Sequence, residues 1–140
     1  EEKSHQLLVS TVTGIVPYVS FIRNYLESGR SGHKFYILAG ASYSDEFIYD
    51  KEFIELSEKY PEFIKFIPSV SRPDEEKNSG WSGSTGRVNN IIEDKINELQ
   101  LPSDDTMVYA CGNPDMIEDV KKRVTPLGFG FLEERFWKDD

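Results

Sequence analysis

Cysteine, histidine and cationic residues are the scarce components of this 140-residue chain. A single cysteine cannot build a disulfide framework or a Cys-rich zinc site. Two histidines, His5 and His33, stand too far apart in the chain to suggest a His-based metal centre. Lys and Arg total 16 against 25 Asp and Glu, a net charge of −9, which argues against a general nucleic-acid binder with a basic face. A local basic pocket for one phosphate stays compatible with that balance. No apolar run nears the roughly 20 residues a membrane span needs, so no integral membrane contact is expected. The opening EEKSH does not have signal-peptide composition, and a reduced, cytoplasmic compartment is the default expectation. Neither G-x-G-x-x-G nor a Walker lysine motif occurs, and no repeat or low-complexity tract is seen. What is present is a 38% hydrophobic content with 9 Phe and 7 Tyr, enough for one domain with a substantial core.

Apolar runs alternate with helical patterns along the chain. Residues 6–10 read as a strand. Val16, Val19, Ile22 and Leu26 follow helical spacing, with Pro17 in the first turn and Ser28-Gly29-Arg30-Ser31-Gly32 ending the helix. KFYILAG, residues 34–40, is the continuous run of a buried parallel strand. Residues 51–60 read as a helix with Phe53, Ile54 and Leu56 inward, and 63–70 as a strand whose end Pro68 complicates. Residues 71–86, SRPDEEKNSGWSGSTG, form a long polar loop of functional or flexible character, with Trp81 as a candidate lid. A helix over 88–99 follows, with Val88, Ile91, Ile92, Ile96 and Leu99 inward. Then come a strand over 106–111, a helix over 114–124 and a final strand or extended tail over 129–137. Phe129 and Phe131 are expected in the core. This β-α alternation predicts an α/β fold: a doubly wound, five-stranded parallel sheet of order 3-2-1-4-5 in a three-layer αβα, Rossmann-like sandwich.

Such sheets bind ligands outside the carboxyl ends of their strands, so the residues there carry the functional argument. After the first strand, Thr11, Thr13, Gly14 and Pro17 form a strand-to-helix turn suited either to an anion at a helix N-terminus or to an ordinary N-cap. After the third strand and its loop, Ser71-Arg72 and Gly86-Arg87 offer two guanidinium forks. They can converge on a phosphate or pair with Asp74, Glu75 or Glu76. After the fourth strand, Cys111-Gly112-Asn113-Pro114-Asp115-Met116 places a thiol and a glycine beside a capped helix start. There Cys111 reads either as a soft wall for a planar ring or as a buried structural cysteine.

Taken together, these segments resemble the NADP(H)-binding domain of the ferredoxin–NADP reductase superfamily. STVTGIVPY, residues 10–18, is similar to the pyrophosphate loop (A/S)TGTGIAPF. Tyr49 is similar to the aromatic of the second αβ turn. Ser71-Arg72 resembles the SR pair that holds the 2′-phosphate in NADPH-selective members, and Thr85-Gly86-Arg87-Val88 the (T/K)GRV segment. CGNPDM, residues 111–116, is close to CGNPxM, and Glu134-Arg135-Phe136-Trp137 resembles the aromatic terminus of bacterial ferredoxin/flavodoxin reductases. Val12 replaces a loop glycine, Ser42 stands where some bacterial members carry arginine, and Lys138 to Asp140 extend beyond the usual terminus.

The resemblance implies an NAD(P)-binding domain over residues 1–140. Its flavin domain, with FAD, is expected N-terminal to residue 1, so the chain alone should be inactive. The implied activity is hydride transfer between nicotinamide and FAD, then electrons to ferredoxin, flavodoxin or another redox partner. Cys111 and Glu134 take catalytic positions. Thr11, Thr13, Gly14, Pro17, Ser42, Ser71, Arg72, Arg87, Gly112, Asn113, Met116, Phe136 and Trp137 take cofactor-binding ones, with NADP(H) as ligand and no metal. Two alternatives stand beside this: an NADH-dependent reductase component of an oxygenase system, and a non-catalytic nucleotide-binding module.

Overall fold

A computed structural model of the chain describes residues 3–11, 15–47 and 50–134. Its strands are β1 (His5–Thr11), β2 (Lys34–Ala41), β3 (Ile64–Val70), β4 (Ser84–Thr85), β5 (Thr106–Cys111) and β6 (Gly130–Glu134). Its helices are α1 (Val16–Ser28), α2 (Asp50–Lys59), α3 (Val88–Leu99) and α4 (Pro114–Val124). All strands pair in parallel, in the order β4-β3-β2-β1-β5-β6. The expected order therefore holds, with one addition: two residues of the polar segment, Ser84 and Thr85, pair with Ser69 and Val70 at the sheet's outer edge. No described helix is long and apolar enough to cross a membrane.

The sheet is covered on both faces, which is why its central strands are nearly continuous apolar runs. Side chains alternate along β1: Leu7 and Val9 enter the core beneath α3 and α4, while Leu8 enters the one beneath α1 and α2. Phe35 and Phe53, at 1% and 0% exposure, anchor the second core. Each contributes roughly 1.5–3 kcal/mol of burial. Phe129 is buried in the first core and Phe131 packs against it.

Helix α1 departs from the aliphatic reading. Its buried face is Tyr18, Val19, Ile22 and Tyr25, and Val16 is exposed. The tyrosines supply apolar rings while their hydroxyls find partners, as buried tyrosines require. Tyr18 Oη donates to the Val9 carbonyl at 2.7 Å, and Tyr25 Oη lies 3.2 Å from His33 Nδ1. Gly29, with φ +74°, ends the helix in the left-handed conformation. In α2 Phe53 points inward as expected, but Ile54 is exposed.

Pro68 does not end β3, and the alternation of its hydrogen bonds explains why. The Phe63 carbonyl and the Ser71 amide bond towards β2, whereas the Val70 carbonyl bonds towards β4. Pro68, in phase with Val70, turns its missing donor to the β4 side, just ahead of Ser69, the first residue paired there, so no ladder bond is lost.

Candidate functional site

The strand order reverses at β1, between β2 on one side and β5 on the other. Outside the carboxyl ends of these strands lies a cleft of about 440 Å³. It is lined by Thr11, Gly40, Ala41, Ser42, Ser71, Gly86, Arg87, Val88, Asn89, Asn113, Asp115 and Met116. Thr11, Ser42, Ser71, Arg87, Asn113 and Met116 are thus brought together from distant parts of the chain.

The β5–α4 corner is built by backbone geometry. Gly112 sits at φ +128°, and a Cβ there would run into Thr11 Oγ1. That close approach lets the Asn113 amide donate to Thr11 Oγ1 at 3.0 Å, tying the end of β1 to the start of α4. Asn113 then caps α4, its Oδ1 accepting from the amides of Asp115 at 2.8 Å and Met116 at 3.2 Å. Pro114 has no amide hydrogen, and the Ile117 amide donates to the Asn113 carbonyl at 3.0 Å. Every amide from Asn113 to Ile117 is therefore spoken for, and Asp115 adds a negative charge in the first turn. An anion gains no free backbone donor at this helix start. By contrast, neither N-cap residue, Ile15 of α1 nor Arg87 of α3, makes a side-chain capping bond.

Arg87 reaches the rim through the short edge strand. The Gly86 amide donates to the Val70 carbonyl at 2.8 Å, and Ser69 Oγ donates to the Gly86 carbonyl at 2.7 Å. Gly86 takes φ +109°, a conformation that suits glycine. At Gly40, a Cβ would come within 2.8 Å of Val88 Cγ1, so β2 and the first turn of α3 meet only because the side chain is missing.

The wall formed by the loops after β2 and β3 is more ordered than its composition suggests. Asn78, 2% exposed, pins both loops. Its Oδ1 accepts from the Ser44 amide at 2.8 Å, and its Nδ2 donates to the carbonyls of Ser42 at 3.0 Å and Arg72 at 2.7 Å. Glu46 Oε1 accepts from the Ser42 and Tyr43 amides. Trp81 stacks on Phe47 at 5.7 Å and donates Nε1–H to the Ser84 carbonyl, so it joins the loops after β2 and β3 and does not line the cleft.

Several expected residues lie elsewhere. Arg72 is turned from the cleft, with Nη1 3.3 Å from Glu75 Oε2 and its guanidinium over the Tyr43 ring. Tyr43 Oη donates to Glu75 Oε1 at 2.7 Å. That bond, ahead of the Arg72 contact, holds the Glu75 carboxyl below its usual range and pushes the Tyr43 phenol up. Cys111 is 1% exposed on the α1/α2 face, among Leu8, Ile15 and Val19, and does not line the cleft. Gly112 shapes the corner without lining it, and Pro17 sits in the first turn of α1, also outside the lining. Glu134 ends β6, in register with Cys111. Thr13, Gly14, Tyr49, Phe136 and Trp137 lie outside the described residues.

Asn78 and Asn89 were not singled out from sequence, whereas the pairing of Arg72 with Glu75 is one of the alternatives that the sequence left open. Only the asparagine of the N-S-G turn carried a local signal, and nothing in the sequence marked it as buried.

Comparison with known proteins places this geometry. A family model described as oxidoreductase NAD-binding domain matches residues 8–122. A chloroplastic root ferredoxin–NADP reductase isozyme of Arabidopsis thaliana is 30% identical over 89% of this chain and 34% of its own length. NADH-cytochrome b5 reductase 1 of Dictyostelium discoideum is 31% identical over 84% of this chain and 38% of its own. The chain thus spans about a third of the curated relatives it matches. Among solved structures, the cytochrome b5 reductase domain of Ulva prolifera nitrate reductase superposes with TM-score 0.81 at 19% identity, covering 96% of this chain and 49% of that one. A Neisseria gonorrhoeae ferredoxin–NADP reductase with bound FAD and NADP gives 0.77 at 20%, covering 96% and 56%. These two share the fold. With its family model matched from the first core strand into α4, the chain belongs to the oxidoreductase NAD-binding domain family.

Proposed function

We propose that residues 1–140 are the nicotinamide-dinucleotide-binding part of a flavin-dependent reductase, with the cleft at the end of β1 as the dinucleotide site. The single observation that carries this reading is the convergence of Thr11, Ser42, Ser71, Arg87, Asn113 and Met116 around one cleft at the point where the strand order reverses.

The residues fit such a ligand. Ser42 and Ser71 offer hydroxyls, Arg87 offers a fork matched to phosphate oxygens, and the glycines at 40 and 86 keep the walls close to the backbone. The N-termini of α1 and α3 supply the positive dipole ends, since α4 is already capped. Thr13 and Gly14 are assigned to the phosphates in the same reading. Met116 and Val88 give the apolar contact for a ring. When bound, the nicotinamide supplies hydride chemistry, and FAD on a flavin domain is its natural acceptor. Glu134, Phe136 and Trp137 keep their expected roles toward the rings in this reading, whereas Cys111, buried in the α1/α2 core, does not. Ferredoxin, flavodoxin or another one-electron carrier would take the electrons onward. The protein's share of the work is to bind and orient, with no proton-transfer triad.

The cofactor is proposed as NADP(H), its 2′-phosphate read by Arg87 and, where it displaces Glu75, by Arg72. One observation favours an NADH-linked alternative: Arg72 is engaged with Glu75. Titration of the chain with NADP⁺ and NAD⁺ separates the two. Arg87→Ala is expected to weaken NADP⁺ by roughly 1.5–3 kcal/mol, the worth of a charge-assisted hydrogen bond, with a much smaller effect on NAD⁺. Equal weakening of both nucleotides would remove the 2′-phosphate assignment. Added FAD is expected to give no reductase turnover from this chain alone.

A further inference from the structure

We propose that Glu75 is a specificity-determining residue: its carboxylate occupies Arg72 in place of a ligand phosphate and so disfavours nucleotides that carry a 2′-phosphate. This rests on the reading that the cleft takes a dinucleotide. Ser71 lines the cleft, so the backbone of the next residue stands at its rim, yet the Arg72 fork points to Glu75. The arrangement is held from three sides. Glu75 Oε1 accepts from Tyr43 Oη at 2.7 Å, while Oε2 lies 3.3 Å from Arg72 Nη1. The Tyr43 ring lies beneath both the Arg72 guanidinium, at 5.8 Å, and the Lys77 ammonium, at 4.8 Å. The backbone around Glu75 is fixed, with its amide bonded to the Arg72 carbonyl at 3.3 Å and its carbonyl accepting from the Asn78 amide at 2.9 Å.

The Glu75 carboxylate is therefore held beside Arg72 by its own turn and tied to the neighbouring loop through the Tyr43 hydroxyl. A phosphate arriving at Arg72 would displace it locally and then sit beside a like charge. The Arg72 and Glu75 side chains are about half exposed, at 53% and 48%, so this opposition is of surface strength. It lowers affinity for the 2′-phosphate and does not abolish it. A nucleotide without that group meets no such penalty.

The experiment uses 2′,5′-ADP and 5′-ADP, titrated calorimetrically into the chain and into Glu75→Gln, Arg72→Ala and the double variant. Glutamine keeps an acceptor for the Tyr43 hydroxyl while removing the charge, and circular dichroism confirms the fold. Glu75→Gln is expected to tighten 2′,5′-ADP by about two- to fivefold, the range of an exposed ion pair, and to leave 5′-ADP within about twofold. The gain is expected to vanish in the Arg72→Ala background. Equal change for both nucleotides, weaker 2′,5′-ADP binding, or a gain that survives without Arg72 would overturn the proposal. Binding of 5′-ADP by the parent keeps the cleft reading intact in each of those cases. A parent that binds neither nucleotide overturns that reading and this proposal together.

Discussion

At Gly112 two independent constraints meet on one atom. The backbone lies at φ +128°, and a Cβ would enter the space of Thr11 Oγ1. Gly112→Ala is therefore expected to destabilise the fold by about 1–3 kcal/mol, the cost of a strained backbone position, read as a lower urea midpoint. A midpoint equal to the parent's would mean that β1 and the start of α4 part more easily than the Thr11–Asn113 bond suggests. The neighbouring cap has a separable role. Asn113→Ala leaves the amides of Asp115 and Met116 without their acceptor and is expected to cost about 0.5–2 kcal/mol, whereas Asn113→Asp retains a capping oxygen. Denaturant titration of the three proteins at one pH tests that order. These residues were legible in the chain because glycine at a tight corner and Asn-Pro at a helix start are local instructions. Asn78 was not, and Glu75 was legible only as one of three carboxylates within reach of Arg72. Their partners Tyr43 and Ser44 lie on another loop, and only the folded sheet brings the two loops together.

Helices α3 and α4 are braced where they flank the cleft. Arg123 donates to Asp119 at 2.9 Å, Glu93 at 3.0 Å and Asn90 at 3.1 Å, and Asn89 Nδ2 donates to Asp119 Oδ2 at 2.7 Å. Asn89's amide first, then Arg123, keeps the Asp119 carboxyl below its usual range. A depressed carboxyl favours the fold when ionised, so its contribution is full above the ordinary aspartate range and fades as pH falls through the lowered value. Asp119→Asn is expected to lose up to about 1 kcal/mol at neutral pH and to show a shallower stability loss on acidification. Urea unfolding at neutral and acid pH measures both, and parallel curves for the two proteins would show that the brace does not titrate. At this scale most of the architecture was readable, because apolar runs and helical spacing alternate cleanly. The face of α1 was not, since its packing runs through Tyr18 and Tyr25, which aliphatic periodicity does not count. Nor was β4, whose two residues, Ser84 and Thr85, carry no strand signal apart from their neighbours Ser69 and Val70.

Across the whole molecule the electrostatics act in opposite directions at two distances. The chain carries a net −9, so a polyanionic dinucleotide is repelled as it approaches, while Arg87 attracts it once it is within the cleft. The Debye length falls from about 30 Å at 0.01 M salt to about 8 Å at 0.15 M. Added salt therefore removes the long-range repulsion before it weakens the contact at Arg87. The association rate of NADP⁺ is expected to rise between these ionic strengths, unlike that of a phosphate ligand steered into a basic protein, while the dissociation rate also rises as the contact is screened. Stopped-flow fluorescence across a salt series gives both rates. An association rate that falls steadily with salt would mean that the local field of the cleft governs the approach from the outset. The acidic remainder of the chain would then have no part in how the nucleotide arrives.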